Sequence, residues 1–264
     1  MTRDLLLCFP DEADFGHRLA QAAGLDVAIV EHHPFPDGEI KLRLPAALPA
    51  RVVILRSLNQ PNDKLIELLL TARTARLLGA RHLSLVAPYL AYMRQDIAFQ
   101  PGEAISQRIV GQFIAELFDT VITIDPHLHR IKTLDEAVPV GCAVVLSAAP
   151  LLAEFVAGHR IAPVLIGPDE ESARWIELAA TRHGFDHAVC HKTRQGDHQV
   201  TVNLPPLDVT GRHVVLLDDI ASTGHTVAQT ARLLLAAGAA SVDVAVTHAL
   251  FAGNALNVIR DPGI

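Results

Sequence analysis

The run Val214-Val215-Leu216-Leu217-Asp218-Asp219-Ile220-Ala221-Ser222-Thr223-Gly224-His225-Thr226 holds the residue types best suited to chemistry in this chain. Its aliphatic start predicts a central strand, and open α/β sheets bind ligands at the C-terminal edge of such strands. The hydroxyls of Ser222, Thr223 and Thr226, with successive backbone N–H groups at the start of the following helix, form a cradle for a phosphate. Carboxylates beside an anion site repel the anion unless they face something else. Ribose hydroxyls, or a metal ion bridging to them, would use the charge of Asp218 and Asp219, and Asp218 is the first choice for the sugar. A capped helix start with two solvated aspartates is the simpler alternative, but strand, acid pair, hydroxyls and glycine coincide here.

The elements that must position this turn are written in a repeat. Val52-Val53-Ile54-Leu55, a turn, a helix ending in Leu77-Leu78-Gly79-Ala80 and a strand over 83–87 match Val214-Val215-Leu216-Leu217, a turn, a helix ending in Ala236-Ala237-Gly238-Ala239 and a strand over 242–246. Each copy reads as one βαβ unit, with a glycine ending the helix where the left-handed conformation is needed. Between them, Ile105, Ile109, Val110, Phe113, Ile114, Leu117 and Phe118 fall on one helical stripe before a strand over 121–124. In the second half, Val164-Leu165-Ile166 predicts a strand, residues 170–183 a helix and residues 187–190 another strand. The boundary between halves is expected near 140–150, giving domains over 1–143 and 144–264.

Composition narrows the class. At 264 residues the chain can bury one large core or two modest ones. Half its residues are apolar but only 5% are aromatic, as expected of aliphatic strands covered on both faces by helices. A formal charge of −7 argues against a nucleic-acid binder, while leaving room for anionic small substrates where Lys and Arg gather. Cys8, Cys142 and Cys190 lack metal-ligand spacing and read as reduced, buried thiols, and the start of the chain has no export signal, so the cytoplasm is expected. The longest uncharged apolar stretch, 137–153, is too short for a membrane span and contains Pro139 and Pro150. High hydropathy favours a homo-oligomer in which sister subunits cover apolar surface.

Several further motifs accompany the acid-rich turn: Phe35-Pro36-Asp37-Gly38-Glu39, Pro61-Asn62-Asp63, Pro88-Tyr89 through Arg94-Gln95-Asp96, Asp125-Pro126-His127 and Lys192-Thr193-Arg194. In this order, over about residues 5–257, the chain resembles the ribose-phosphate pyrophosphokinase family, most closely its archaeal-type branch, and the turn after residue 217 resembles the phosphoribosyl-pyrophosphate motif of the type I phosphoribosyltransferase fold. The resemblance implies an α/β protein of two duplicated phosphoribosyltransferase-like domains, each a mostly parallel sheet flanked by helices. It also implies transfer of the pyrophosphoryl group of Mg2+-bound ATP to the anomeric hydroxyl of ribose 5-phosphate, by attack on the β-phosphorus.

By the same resemblance, Lys192 and Arg194 are catalytic, neutralising the transition state, with Gln195, Gly196, Asp197 and His198 completing a flap over the phosphates. Arg194, Asp218, Asp219, Ser222, Thr223, Gly224, His225 and Thr226 bind the ribose phosphate. Phe35, Asp37, Gly38 and Glu39 bind ATP on behalf of a neighbouring subunit of a dimer-based assembly, together with Arg94 and Gln95. His127 and Asp169 are the candidates for the metal, although magnesium prefers oxygen and imidazole suits the ATP phosphates better. A zinc site at His127-x-His129 is disfavoured, because the two side chains alternate across an extended segment.

Some residues depart from the pattern. Ser222 stands where an aspartate is common, His225 where glycine is common, and Glu170 and Glu171 replace small glycines beside the proposed phosphate path. The resemblance also implies a longer C-terminus than Ile264, with a further strand and helix. A nucleobase phosphoribosyltransferase and an inactive regulatory subunit are the rival readings. The retention of Lys192, Arg194, Arg94 and His127 argues against the second, and the duplicated half bearing residues 35–39 against the first.

Overall fold

A computed structural model describes residues 3–128, 130–195 and 199–264, with backbone alone for 192–195 and 199–201. The chain divides into two compact units, Met1–Leu146 and Ser147–Ile264. The first contains β1 (Leu5–Cys8), α1 (Ala13–Ala23), β2 (Asp26–Ile29), β3 (Glu31–Pro34), β4 (Ile40–Arg43), β5 (Arg51–Leu55), α2 (Pro61–Leu77), β6 (His82–Ala87), α3 (Ser106–Ala115), β7 (Thr120–Ile124), α4 (Leu134–Ala137) and β8 (Cys142–Leu146). Six of these strands form a parallel sheet in the order β2-β1-β5-β6-β7-β8, while β3 and β4 form a separate antiparallel hairpin.

Alternation along the central strands explains why both faces carry helices. Leu7 and Ile54 point into a cluster with Leu68, Ala72 and Ala75 of α2 and Ile114 of α3. Their neighbours Leu6, Cys8 and Leu55 point the other way, against Ala20 of α1. An all-aliphatic strand is stable only when both faces are covered, and each fully buried Leu or Ile contributes about 2 kcal/mol.

The second unit contains α5 (Ala149–Ala157), β9 (Val164–Gly167), α6 (Ala173–Thr181), β10 (Asp186–Val189), β11 (His191–Gln195), β12 (Gln199–Asn203), β13 (His213–Ala221), α7 (His225–Ala236), β14 (Ser241–Ala249) and α8 (Ala255–Arg260). Its parallel sheet has the order β10-β9-β13-β14, and β11 and β12 form an antiparallel hairpin. Val214 and Leu216 pack with Val227, Ala231 and Leu234 of α7. Val215 and Leu217 pack with Ala149 and Ala153 of α5 and Ile176 and Ala179 of α6. The repeated βαβ plan is present as β5-α2-β6 and β13-α7-β14, and Gly79 and Gly238 hold matching left-handed conformations (φ 105° and 93°) after their helices.

Four local expectations change. Strand β13 runs on to Ala221, so Asp218 and Asp219 lie in the strand and not in the turn. The helix expected from residue 170 begins as a tight 3-10 turn over Glu170–Ser172 before α6. Ile109 is 61% exposed and leaves the buried stripe of α3. Cys142 is exposed at the start of β8, on an edge strand with one neighbour, whereas Cys8 and Cys190 are buried, and none of the three is in a disulfide. The apolar stretch 137–153 becomes β8 and the start of α5, and no helix among the described residues is long and apolar enough to cross a membrane.

Candidate functional site

Sheet order decides where the second unit can bind a ligand. From β9 the chain crosses through α6 to β10 on one side, and from β13 it crosses through α7 to β14 on the other. The crevice at the C-terminal ends of β9 and β13 is therefore a topological switch point, where open α/β sheets bind. The pairing of β13 with β9 reaches Leu216↔Ile166, while its pairing with β14 continues to Ala221↔Ala249. Asp218 and Asp219 thus lie on a strand that has outrun one neighbour, half-buried at an open edge, and Asp169 follows β9 directly.

The electrostatics of this edge call for a positive partner. Burial, then the charges of Asp219 and Asp169, push the Asp218 carboxyl well above the usual carboxylate range. The Asp219 backbone N–H donates to Asp218 Oδ1 at 3.0 Å, which offsets part of this cost. Among the described residues, no group of three or more His, Cys, Asp or Glu side chains is close enough to hold a metal as a ready-made cage. An oxygen-only acidic edge without a cage fits a magnesium ion that keeps waters or arrives on a substrate.

Next to the acids, Ser222, Thr223 and Gly224 turn the chain into α7. Gly224 has φ 78°, and a Cβ there would lie 2.6 Å from Ile259 Cγ1 of α8, so the position needs glycine for both its conformation and its close approach. No side chain caps α7 at Gly224, which leaves the first-turn amides of His225, Thr226 and Val227 available to an anion. The loop after β14 braces the turn: the N–H groups of Leu250 and Phe251 donate to Ala221 O at 3.0 and 3.1 Å, and that of Ala252 to Ser222 O at 3.0 Å. Ser222 and Thr226 are half-buried and Thr223 is exposed. His225, at the first helical position, is exposed and does not fill the cradle. Gly224→Ala should cost about 2–4 kcal/mol in stability, from left-handed strain and the clash with Ile259. A thermal melt would show this, and a titration with ribose 5-phosphate should show weakened binding.

Lys192 and Arg194 lie on β11, at Lys192↔Val202 and Arg194↔Val200 of its ladder with β12. The hairpin is rooted beside the crevice, because the Cys190 N–H donates to Gly167 O at 2.9 Å and His191 Nδ1 lies 2.7 Å from Glu170 Oε1. The His191 hydrogen bond draws the Glu170 carboxyl below its ordinary range. Glu170 therefore pairs with the base of the hairpin. The flap residues Gly196, Asp197 and His198, and His129, lie outside the described residues, as do the side chains of Lys192, Arg194 and Gln195.

In the first unit, Arg94 and Gln95 follow β6 and His127 follows β7, so adjacent parallel strands bring them to one edge of the sheet. Arg94 is exposed, His127 is half-buried, and Gln95 Nε2 donates to Ile97 O at 2.9 Å. Sequence reasoning missed the brace between these two loops, in which Arg130 Nη1 donates to buried Asp96 Oδ1 at 2.5 Å. Asp96, the third residue of Arg94-Gln95-Asp96, was the available signal. Residues 35–39 form the tip of the β3–β4 hairpin. Gly38 N–H donates to Phe35 O at 3.0 Å, Phe35 N–H to Glu39 O at 2.7 Å and Glu39 N–H to Asp37 Oδ1 at 3.2 Å. This closed turn leaves Phe35, Asp37 and Glu39 exposed. His127 and Asp169 lie in different units.

Comparison with known proteins yields consistent matches. The family described as "N-terminal domain of ribose phosphate pyrophosphokinase" matches residues 5–117, and that described as "Phosphoribosyl transferase domain" matches residues 148–256. The chain is 37% identical over 250 residues to a ribose-phosphate pyrophosphokinase of Methanosarcina acetivorans, covering 94% of this chain and 85% of that protein. It is also 37% identical over 257 residues to one of Methanopyrus kandleri, covering 95% and 86% respectively. Among solved structures, the phosphoribosylpyrophosphate synthetase from Mycobacterium smegmatis superposes with a TM-score of 0.85 at 25% identity, over 99% of this chain and 86% of that one.

Proposed function

Because the chain belongs to the ribose-phosphate pyrophosphokinase family, we propose a division of labour among its residues in that reaction. The activity is transfer of the pyrophosphoryl group of ATP to the anomeric hydroxyl of ribose 5-phosphate, giving phosphoribosyl pyrophosphate and AMP. The anomeric hydroxyl gives up its proton to solvent as its oxygen forms a bond to the β-phosphorus, the bond from that phosphorus to the α,β-bridging oxygen breaks, and AMP leaves with its electron pair.

Such a reaction needs two polyanions held in line and their charge offset, so positioning and cations carry most of the catalysis. The observation that carries the assignment is the uncapped start of α7 behind Gly224, next to the raised-pKa carboxyl of Asp218. The amides and hydroxyls of 222–226 take the 5-phosphate, and Asp218 and Asp219 take the ribose hydroxyls. Lys192 and Arg194 offset the charge that builds on the transferring group. Arg94, Gln95 and His127 take the ATP phosphates, while Phe35, Asp37, Gly38 and Glu39 take the adenine and ribose of ATP bound by a neighbouring subunit. Asp169, beside Asp218, is the residue of this chain that would hold magnesium. When bound, the ion would offset phosphate charge near the acidic edge.

The exposed apolar residues Leu151 and Phe155, 68% and 63% accessible and one turn apart on α5, support a homo-oligomer, and three cysteines outside any disulfide support a cytoplasmic setting. Mixing the protein with ATP, magnesium and ribose 5-phosphate should release AMP and phosphoribosyl pyrophosphate in equal amounts. Binding of both substrates without AMP would mark a regulatory subunit. Consumption of phosphoribosyl pyrophosphate with a nucleobase would mark a phosphoribosyltransferase.

A further inference from the structure

The first unit repeats the switch-point geometry of the second. Here β1 leads through α1 to β2 on one side and β5 through α2 to β6 on the other, so a crevice opens at the C-terminal ends of β1 and β5. In the repeat, Leu55 matches Leu217, and the next residue is Arg56 where the second unit has Asp218. Arg56 is only 4% exposed and saturates its guanidinium within the unit. Nη1 donates to both oxygens of Asp11 at 2.6 and 2.8 Å and to Glu12 Oε2 at 3.0 Å. Nε donates to Glu67 Oε2 at 2.7 Å, and the cation stacks 4.4 Å from the centroid of the Phe9 ring. The other oxygen of Glu12 accepts the Ser57 N–H at 2.9 Å. A cation and three carboxylates of the protein itself fill this second crevice.

One contact leads out of that cluster. Glu67 Oε1 lies 3.2 Å from His32 Nε2, in the middle of β3. His32 is the one residue of β3 that is not exposed, and three residues on the strand enters the turn at Phe35. The other strand of the hairpin, β4, is held differently, through Leu42 and the following Leu44 against the main core. We propose that His32 is a positioning residue for nucleotide binding: anchored through Glu67 to Arg56, it fixes the angle at which the hairpin presents Phe35, Asp37 and Glu39. The duplicated crevice, closed to a sugar, has become the mount for the turn that reads the nucleotide.

This inference rests on the assignment of residues 35–39 to ATP, and the experiment separates the two. Steady-state kinetics with each substrate varied should show Phe35→Ala raising KM for ATP. His32→Ala should raise KM for ATP roughly 10-fold, with kcat and KM for ribose 5-phosphate within about 2-fold of the parent, because only the 3.2 Å contact with the Glu67 carboxylate is lost. His32→Gln, which keeps a donor, should recover most of the affinity, and His32→Ala should raise KM by a smaller factor in the Phe35→Ala background than in the parent, because one of the three groups it positions is already gone. If Phe35→Ala leaves KM for ATP unchanged, the nucleotide assignment is wrong and the inference goes with it. If Phe35→Ala raises KM but His32→Ala does not, or if His32→Ala lowers kcat and weakens both substrates alike, the positioning role is wrong while the assignment stands. Should His32→Ala fail to fold, His32→Val, which removes the imidazole but keeps a strand-forming side chain, gives the same reading.

Discussion

Lys192→Ala should lower kcat by about 10³-fold, the smaller end of what one cation contributes to a phosphoryl transition state. Ribose 5-phosphate should still bind within roughly 3-fold of the parent affinity, because an interaction formed only in the transition state moves kcat and not ground-state binding. The reason for this split lies in the layout of the second unit. Lys192 is on the β11–β12 hairpin, whereas the proposed phosphate cradle is built from the end of β13 and the start of α7. Rates of AMP formation and a calorimetric titration with the sugar phosphate measure the two halves separately. An equal loss in both would place Lys192 in the sugar site and dissolve the division of labour.

Asp218→Asn should act in two directions at once, weakening the sugar far more than ATP while making the ligand-free protein more stable at neutral pH. The second effect follows from the raised carboxyl. Between its ordinary value near 4 and its higher folded value, the native protein keeps a proton that the unfolded chain has released. Stability therefore falls as pH rises through that window, and the penalty is fully present above it. Asparagine removes the penalty, and a gain of about 1 kcal/mol, roughly 4 °C in Tm for a unit of this size, is expected at pH 8. The gain should vanish below about pH 4, where the parent carboxyl is protonated in both states. Melts at the two pH values test the electrostatics, and titrations with each substrate test the role. A variant that lost ATP and kept the sugar would move Asp218 to the nucleotide.

The two expectations for Asp218 share a cause. Strand β13 continues beside β14 after β9 has stopped, so acids that read as turn residues are held in an extended, half-buried strand where their charges add. A turn would have let them point into water, without the burial that raises the Asp218 carboxyl.

The sequence alone determined the repeating βαβ plan, the aliphatic strands buried on both faces, the helix-ending Gly79 and Gly238, and the tight turn at Gly224. Each is set by side-chain period or by a backbone conformation that depends on residues a few positions away. The tertiary structure alone decided which strands are neighbours, and with that the switch point that brings Asp169 to Asp218. It also decided that Arg56 closes the matching crevice, that Glu170 is taken up by His191, and that Cys142 and Ile109 face outward. Those pairings join segments far apart in the chain, and no local pattern records a partner that long-range hydrogen bonding and packing select.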